Sequence, residues 1–205
     1  MIISHSHRFI FISNPKTGTN SIEKSLMCFN EESNLNLIHK PGFFTKRHIP
    51  AEMLEEVLGK KIWTNYFKFG FVRNPWDWFI SQHFYNLQAN GLDHDIDKPL
   101  TPADIISTYN YLKIARGRKW SPSASQHAFL CNEHGFLLVD YLGKFETLEE
   151  QFEEVLEILG LTAPLPHLNK STHRNFKHYY AKETVAIINQ LYYPDISLFN
   201  YSFDA

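Results

Sequence analysis

The sequence predicts an α/β domain with a mainly parallel central sheet flanked by helices, and three observations predict it. Apolar, β-prone runs at residues 8–13 and 66–72 each close on a turn signal, Asn14-Pro15 and Asn74-Pro75. Each turn feeds a segment with helical spacing: Ile22, Leu26 and Phe29 after the first, Trp76, Phe79, Ile80, His83 and Phe84 after the second. Strands that alternate with helices in this way build parallel sheets covered by helices.

In chain order, Arg8-Phe9-Ile10-Phe11-Ile12-Ser13 reads as a buried strand, and residues 19–29 read as a helix opening just after Gly18. A short helix is expected over 50–58, stopped by Gly59. Phe67, Phe69 and Phe71 alternate along the second strand, and Pro75 suits the first turn of the helix that follows. A helix over 102–115, a strand within 136–145, a helix over 149–159 ending at Gly160 and a closing amphipathic helix over 182–193 complete the pattern. No repeat, low-complexity tract or long linker interrupts it, so residues 1–205 are expected to form one domain.

Composition narrows the function classes. Twenty Lys+Arg against 22 Asp+Glu leave a net charge of −2, which lacks the basic footprint of a general nucleic-acid binder. Hydrophobic residues are 43% and charged residues 20%, as in globular proteins, and 17 Phe with 10 Tyr foretell an aromatic core. Cys28 and Cys131 stand far apart without CxxC or Cys/His spacing, which fits free thiols. No run reaches the roughly 18 apolar residues of a spanning helix, and the first residues carry no leader pattern, so a soluble cytoplasmic protein is expected. Anion chemistry must therefore come from a few placed cations.

Two loops supply them. Ser13-Asn14-Pro15-Lys16-Thr17-Gly18-Thr19-Asn20-Ser21 sets a lysine, a glycine and several hydroxyl and amide donors between a strand and a helix N-terminus, whose unpaired N–H groups favour an anion. The order differs from the GxxxxGK[ST] loop of nucleoside triphosphatases: the lysine precedes the glycine, and the first glycine is missing. In Phe71-Val72-Arg73-Asn74-Pro75, Arg73 ends a strand and Ser81 follows two turns into the next helix. An arginine fork grips a phosphate bidentately, although Arg73 taken alone reads rather as a structural ion-pair partner, for instance of Asp77. Together, two such loops ask for a ligand with two separated phosphate-like groups.

These motifs resemble the sulfotransferase family, which uses 3′-phosphoadenosine 5′-phosphosulfate. Pro15-Lys16-Thr17-Gly18-Thr19-Asn20-Ser21 resembles its 5′-phosphosulfate loop, and residues 71–81 resemble its 3′-phosphate motif with the arginine-to-serine spacing intact. Lys144-Phe145-Glu146-Thr147-Leu148 resembles the strand that passes the adenine, and Leu165-Pro166-His167-Leu168-Asn169-Lys170-Ser171 resembles the family's tail, in the branch of carbohydrate sulfotransferases and their bacterial relatives. The resemblance implies a P-loop-like nucleotide-binding fold. It implies that Lys16, Thr17, Gly18, Thr19, Asn20 and Ser21 hold the 5′-phosphosulfate, that Arg73 and Ser81 hold the 3′-phosphate, and that Phe145 lies by the adenine, where relatives often carry tyrosine. The late Arg-Lys-Gly segment of many cytosolic relatives is missing, with Lys170, Ser171 and Arg174 its nearest substitutes. It further implies adenosine 3′,5′-bisphosphate as product, no metal, and a hydroxyl-bearing acceptor such as a saccharide.

Transfer to a hydroxyl asks for a cation at the leaving oxygen and a base at the acceptor. Lys16 fits the first role. His48, just before the 50–58 helix where relatives of this branch often carry histidine, fits the second, since an imidazole titrates near neutrality. A surface histidine in a loop is the bland alternative, and His39 and Glu23 are weaker candidates. The other histidines show no HExxH or similar metal spacing. Arg116-Gly117-Arg118-Lys119 is either a solvated loop or a patch for an anionic acceptor, and Trp76, Trp78 and Phe79 either line a cleft or fill the core. Two other functions fit a similar sheet: a nucleotide kinase-like phosphotransferase, which would need magnesium, and a non-catalytic nucleotide-binding protein.

Overall fold

The computed structural model describes residues 1–32, 48–92, 95–114, 125–166 and 173–204. Four strands form one sheet in the order β1 (Ile2–Ser4), β2 (Phe9–Ile12), β3 (Phe67–Val72) and β4 (Tyr141–Lys144). β1 pairs with β2 antiparallel, and β2–β3 and β3–β4 pair in parallel, with Phe9 opposite Phe67 and Phe69 opposite Tyr141. The sheet is mainly parallel, as its sequence pattern foretells. β1 is the addition: three residues hold too little periodicity to announce a strand.

Strand residues alternate between two cores. Ile10, Ile12 and Val72 face a cluster with Leu54, Trp63, Phe129 and Leu130. Phe9, Phe11, Phe69 and Phe71 face the opposite cluster, with Ile22, Leu26, Phe152 and Val155. The first cluster is covered by α2 (Ala51–Leu58), α3 (Lys60–Asn65) and α6 (His127–Leu130). The second is covered by α1 (Thr19–Leu26) and α7 (Leu148–Leu159). A third, aromatic cluster joins α4 (Pro75–Ala89), α5 (Pro102–Ile114), α8 (Lys182–Leu191) and α9 (Tyr193–Leu198) around Trp76, Trp78, Phe79 and Tyr192. All three of Trp76, Trp78 and Phe79 are buried there, which decides for the core reading of that stripe.

Three expectations need adjusting. The helix over 19–29 tightens into a 3₁₀ turn at Met27–Phe29, and the closing helix ends at Leu191, with Pro194 in the first turn of the separate α9. Only Tyr141–Lys144 of the 136–145 run joins the sheet. Before it, Asp140 still donates its N–H to the Lys68 carbonyl (2.8 Å), but the Lys68 N–H turns to the Asp140 carboxylate (2.8 Å) and the Leu138 N–H to the Leu130 carbonyl (2.9 Å). Two short helices, α3 and α6, carry too few turns to show a period.

Candidate active site

Three loops leave the carboxyl ends of β2, β3 and β4 side by side, with the β3 loop between the other two. Open α/β sheets bind ligands at this edge. In the first loop Lys16 and Gly18 both adopt left-handed backbone, at φ 67° and 78°. Such a conformation costs a non-glycine residue on the order of 1 kcal/mol, so the loop's bonds must hold Lys16 in it. The Thr17 hydroxyl donates to the Asn14 carbonyl (2.8 Å), and the Trp78 indole N–H donates to the Pro15 carbonyl (2.8 Å). Thr17 therefore spends its hydroxyl proton on the loop itself. Gly18 has no side chain to cap α1, which begins at Thr19.

The second loop centres on Arg73, whose side chain is almost wholly buried. Its Nε donates to Asp77 (2.8 Å) and its Nη1 to the Lys16 carbonyl (3.2 Å). The guanidinium lies 4.4 Å from the centre of the Phe145 ring, which comes from the third loop. The ion pair with Asp77 is thus real, and it coexists with a direct link to the lysine loop. These bonds use Nε and Nη1 of the fork. A Cβ at Gly18 would come within 2.5 Å of Leu148 Cδ2 and 3.5 Å of Phe145, so the glycine lets the first and third loops meet.

Helix α4 presents one face to this junction. Asp77, Ser81 and Tyr85 recur every four residues and fall on one side of the helix. Asp77 holds Arg73 at one end, and the Tyr85 ring lies 4.4 Å below the Lys16 ammonium at the other. Ser81 lies between them on that face and is buried. Tyr85 was not foreseen: its only sequence signal is its spacing of four from Ser81. Burial, and next the charge of Arg73, lower the Lys16 pKa from 10.5 to about 8. The buried Lys16 ammonium thus stands close enough to the Arg73 guanidinium to feel its charge.

His48 meets the first loop at its start. Its Nδ1 lies 2.7 Å from the Ser13 carbonyl, an atom that only accepts, so Nδ1 carries the proton and Nε2 is the basic nitrogen of the neutral ring. Ser13 is the residue that leads from β2 into the lysine loop, so one residue sets both the ring's orientation and the loop's start. Glu23 is engaged elsewhere, with the Met1 amino group and the Ser13 hydroxyl.

The sequence matches the model of the sulfotransferase family over residues 1–202. The chain belongs to the sulfotransferase family. An uncharacterized protein of Archaeoglobus fulgidus is 25% identical over 134 residues, covering 63% of this chain and 98% of that protein. The sulfotransferase family acts by moving sulfuryl groups, generally from 3′-phosphoadenosine 5′-phosphosulfate to a hydroxyl-bearing acceptor, and this membership sets aside the kinase-like alternative.

In this sulfotransferase the fold brings Lys16, Thr17, Gly18, Thr19, Asn20, Ser21, Arg73, Ser81 and Phe145 to one edge of the sheet. Arg174 has different surroundings: it pairs with Asp97, and its backbone N–H donates to the Tyr179 hydroxyl oxygen (3.0 Å). Lys170, Ser171, His39 and the Arg116–Lys119 run lie outside the described residues. Among the described residues no three of His, Cys, Asp and Glu converge as metal ligands, and no helix is long and apolar enough to cross a membrane.

Proposed function

We propose that this sulfotransferase transfers a sulfuryl group from 3′-phosphoadenosine 5′-phosphosulfate to a hydroxyl, with a saccharide as the favoured acceptor, and that His48 is the base. The observation that carries this reading is the junction of Lys16 and Arg73. The loops of two neighbouring strand ends each carry one cation, and the Arg73 guanidinium donates to the Lys16 carbonyl, so the two charges are held side by side. A donor with a 5′-phosphosulfate and a 3′-phosphate matches that pair. Lys16 and the uncapped start of α1 take the 5′ end, Arg73 and Ser81 take the 3′-phosphate, and the Phe145 ring offers its face to the base beside Arg73.

The chemistry follows from the same residues. His48 Nε2 accepts the proton of the acceptor hydroxyl while its oxygen forms a bond to sulfur. The bond from sulfur to the 5′-phosphate oxygen breaks in line, and the charge gathering on that oxygen is met by the Lys16 ammonium. The saccharide preference rests on the branch that the motifs resemble. One domain carries the whole site, in keeping with a family match that runs nearly end to end.

Transfer of labelled sulfate from the donor to a panel of sugars, phenols, lipid alcohols and tyrosine peptides tests the reading. Wild-type protein labels a saccharide, and His48→Ala lowers turnover by about 10²–10⁴-fold with donor affinity unchanged. Labelling that survives His48→Ala at full rate would remove the histidine from the mechanism.

A further inference from the structure

Gln126 precedes α6 and is fully buried, yet nothing in its sequence neighbourhood marks it as part of the site. Its side-chain amide is spent on the two anion loops. Oε1 accepts the Arg73 backbone N–H (2.8 Å), and Nε2 donates to the Arg73 carbonyl (2.7 Å). Oε1 also accepts from the Asn14 amide (3.3 Å), whose other proton goes to the Phe71 carbonyl (2.9 Å). Gln126 thus grips both backbone groups of Arg73 one residue beyond the end of β3, in the manner of a ladder partner, and reaches across to the lysine loop. Only a neutral primary amide supplies a donor and an acceptor at that spacing.

The amide is anchored in turn. The Gln126 and His127 backbone N–H groups donate to the two oxygens of Asp195 (2.9 and 2.8 Å), and the His127 ring Nδ1 lies 2.8 Å from the same carboxylate. Asp195 sits fully buried on α9, a rigid element of the aromatic core. A continuous line of hydrogen bonds therefore runs from α9 through Asp195 and Gln126 to Arg73 and Asn14.

We infer that Gln126 is a positioning residue that fixes the separation of the two anion loops, with Asp195 as its anchor, and that it thereby sets the enzyme's selectivity for a ligand carrying two phosphate groups. This rests on the donor reading proposed above. Arg73 itself supplies a further tie, through Nη1 to the Lys16 carbonyl, but that bond depends on a side chain that must also turn to its phosphate. The Gln126 bonds to Arg73 act on its main chain and do not involve the guanidinium. A ligand that touches one loop is indifferent to the spacing, whereas a ligand that spans both is not.

The test is calorimetric titration of wild type, Gln126→Leu, Gln126→Glu and Asp195→Asn with adenosine 3′,5′-bisphosphate, adenosine 5′-monophosphate and adenosine 3′-monophosphate. Gln126→Leu is expected to weaken bisphosphate binding by tenfold or more while each monophosphate changes less than about threefold. Gln126→Glu, which keeps the shape and the acceptor but loses the donor, is expected to show the same selective loss and serves if the leucine variant does not fold. Asp195→Asn should follow with a smaller selective loss. Equal losses for all three ligands, or no loss for the bisphosphate, would overturn the positioning role. A wild-type protein that binds the bisphosphate no tighter than the monophosphates would overturn the donor reading, and this inference with it.

Discussion

The two loops proposed to bind the donor are built in opposite ways. At α4 the helix start is already closed: the Asn74 carboxamide accepts from the Trp76 N–H (3.1 Å), Pro75 occupies the first turn, and the Asn74 N–H donates to Glu146 (2.6 Å). That helix end has little left to give an anion, so the burden falls on the side chains of Arg73 and Ser81. At α1 the cap position is a left-handed glycine, so the helix start carries no side-chain cap and a lysine hangs above it. There, on the proposed reading, the backbone N–H groups themselves would meet the anion. Similar strand–loop–helix cassettes thus yield one rigid, pre-paired cation and one whose charge is tuned.

The contrast predicts opposite stability effects for the two cations. Arg73→Ala removes the partner of Asp77 and the cover of Phe145, and should cost the ligand-free protein about 3 kcal/mol as well as abolishing bisphosphate binding. Lys16→Met should also abolish tight binding, yet raise ligand-free stability near pH 7 by on the order of 1–2 kcal/mol. The sign follows from the pKa: at about 8 when folded against 10.5 when unfolded, the unfolded chain binds more protons between those values. The cost of burying the charge is therefore complete below pH 8 and is relieved as pH rises to about 10.5. The two melting curves, measured from pH 6 to 10.5, should diverge most at the acid end.

Smaller effects sharpen the same comparison. Gly18→Ala forces a left-handed alanine against Leu148 and should cost roughly 1–2 kcal/mol, while Asn74→Ala, which removes an ordinary helix cap, should cost about 1 kcal/mol. Only the former should weaken binding of adenosine 5′-monophosphate. Lastly, the same monophosphate should bind less tightly as pH rises above about 8, by at most tenfold per unit, because Lys16 sheds its proton; Lys16→Met should flatten that profile.

Much of this was legible in the sequence because it is local. The Asn14-Pro15 and Asn74-Pro75 stops, the glycine at 18 and the four-residue step from Arg73 to Asp77 and Ser81 are short-range patterns with a physical reading. His48 was legible as a residue type ahead of a helix, but not its bond to the Ser13 carbonyl, which joins residues far apart in the chain. Gln126 and Asp195 were opaque for the same reason: a glutamine after a loop and an aspartate in a late helix acquire meaning only when α9 packs under α6. Arg174 illustrates the reverse limit, since a basic residue in the right part of the chain pairs with Asp97.

The central claim is that Lys16 and Arg73 form one site for a ligand with two phosphate groups. Titration with adenosine 3′,5′-bisphosphate, followed by calorimetry in wild type, Lys16→Ala and Arg73→Ala at pH 7, addresses it most directly. The account predicts one molecule bound per chain, tighter than either adenosine monophosphate, with each substitution removing that advantage. Wild-type binding that either variant retains undiminished would contradict it.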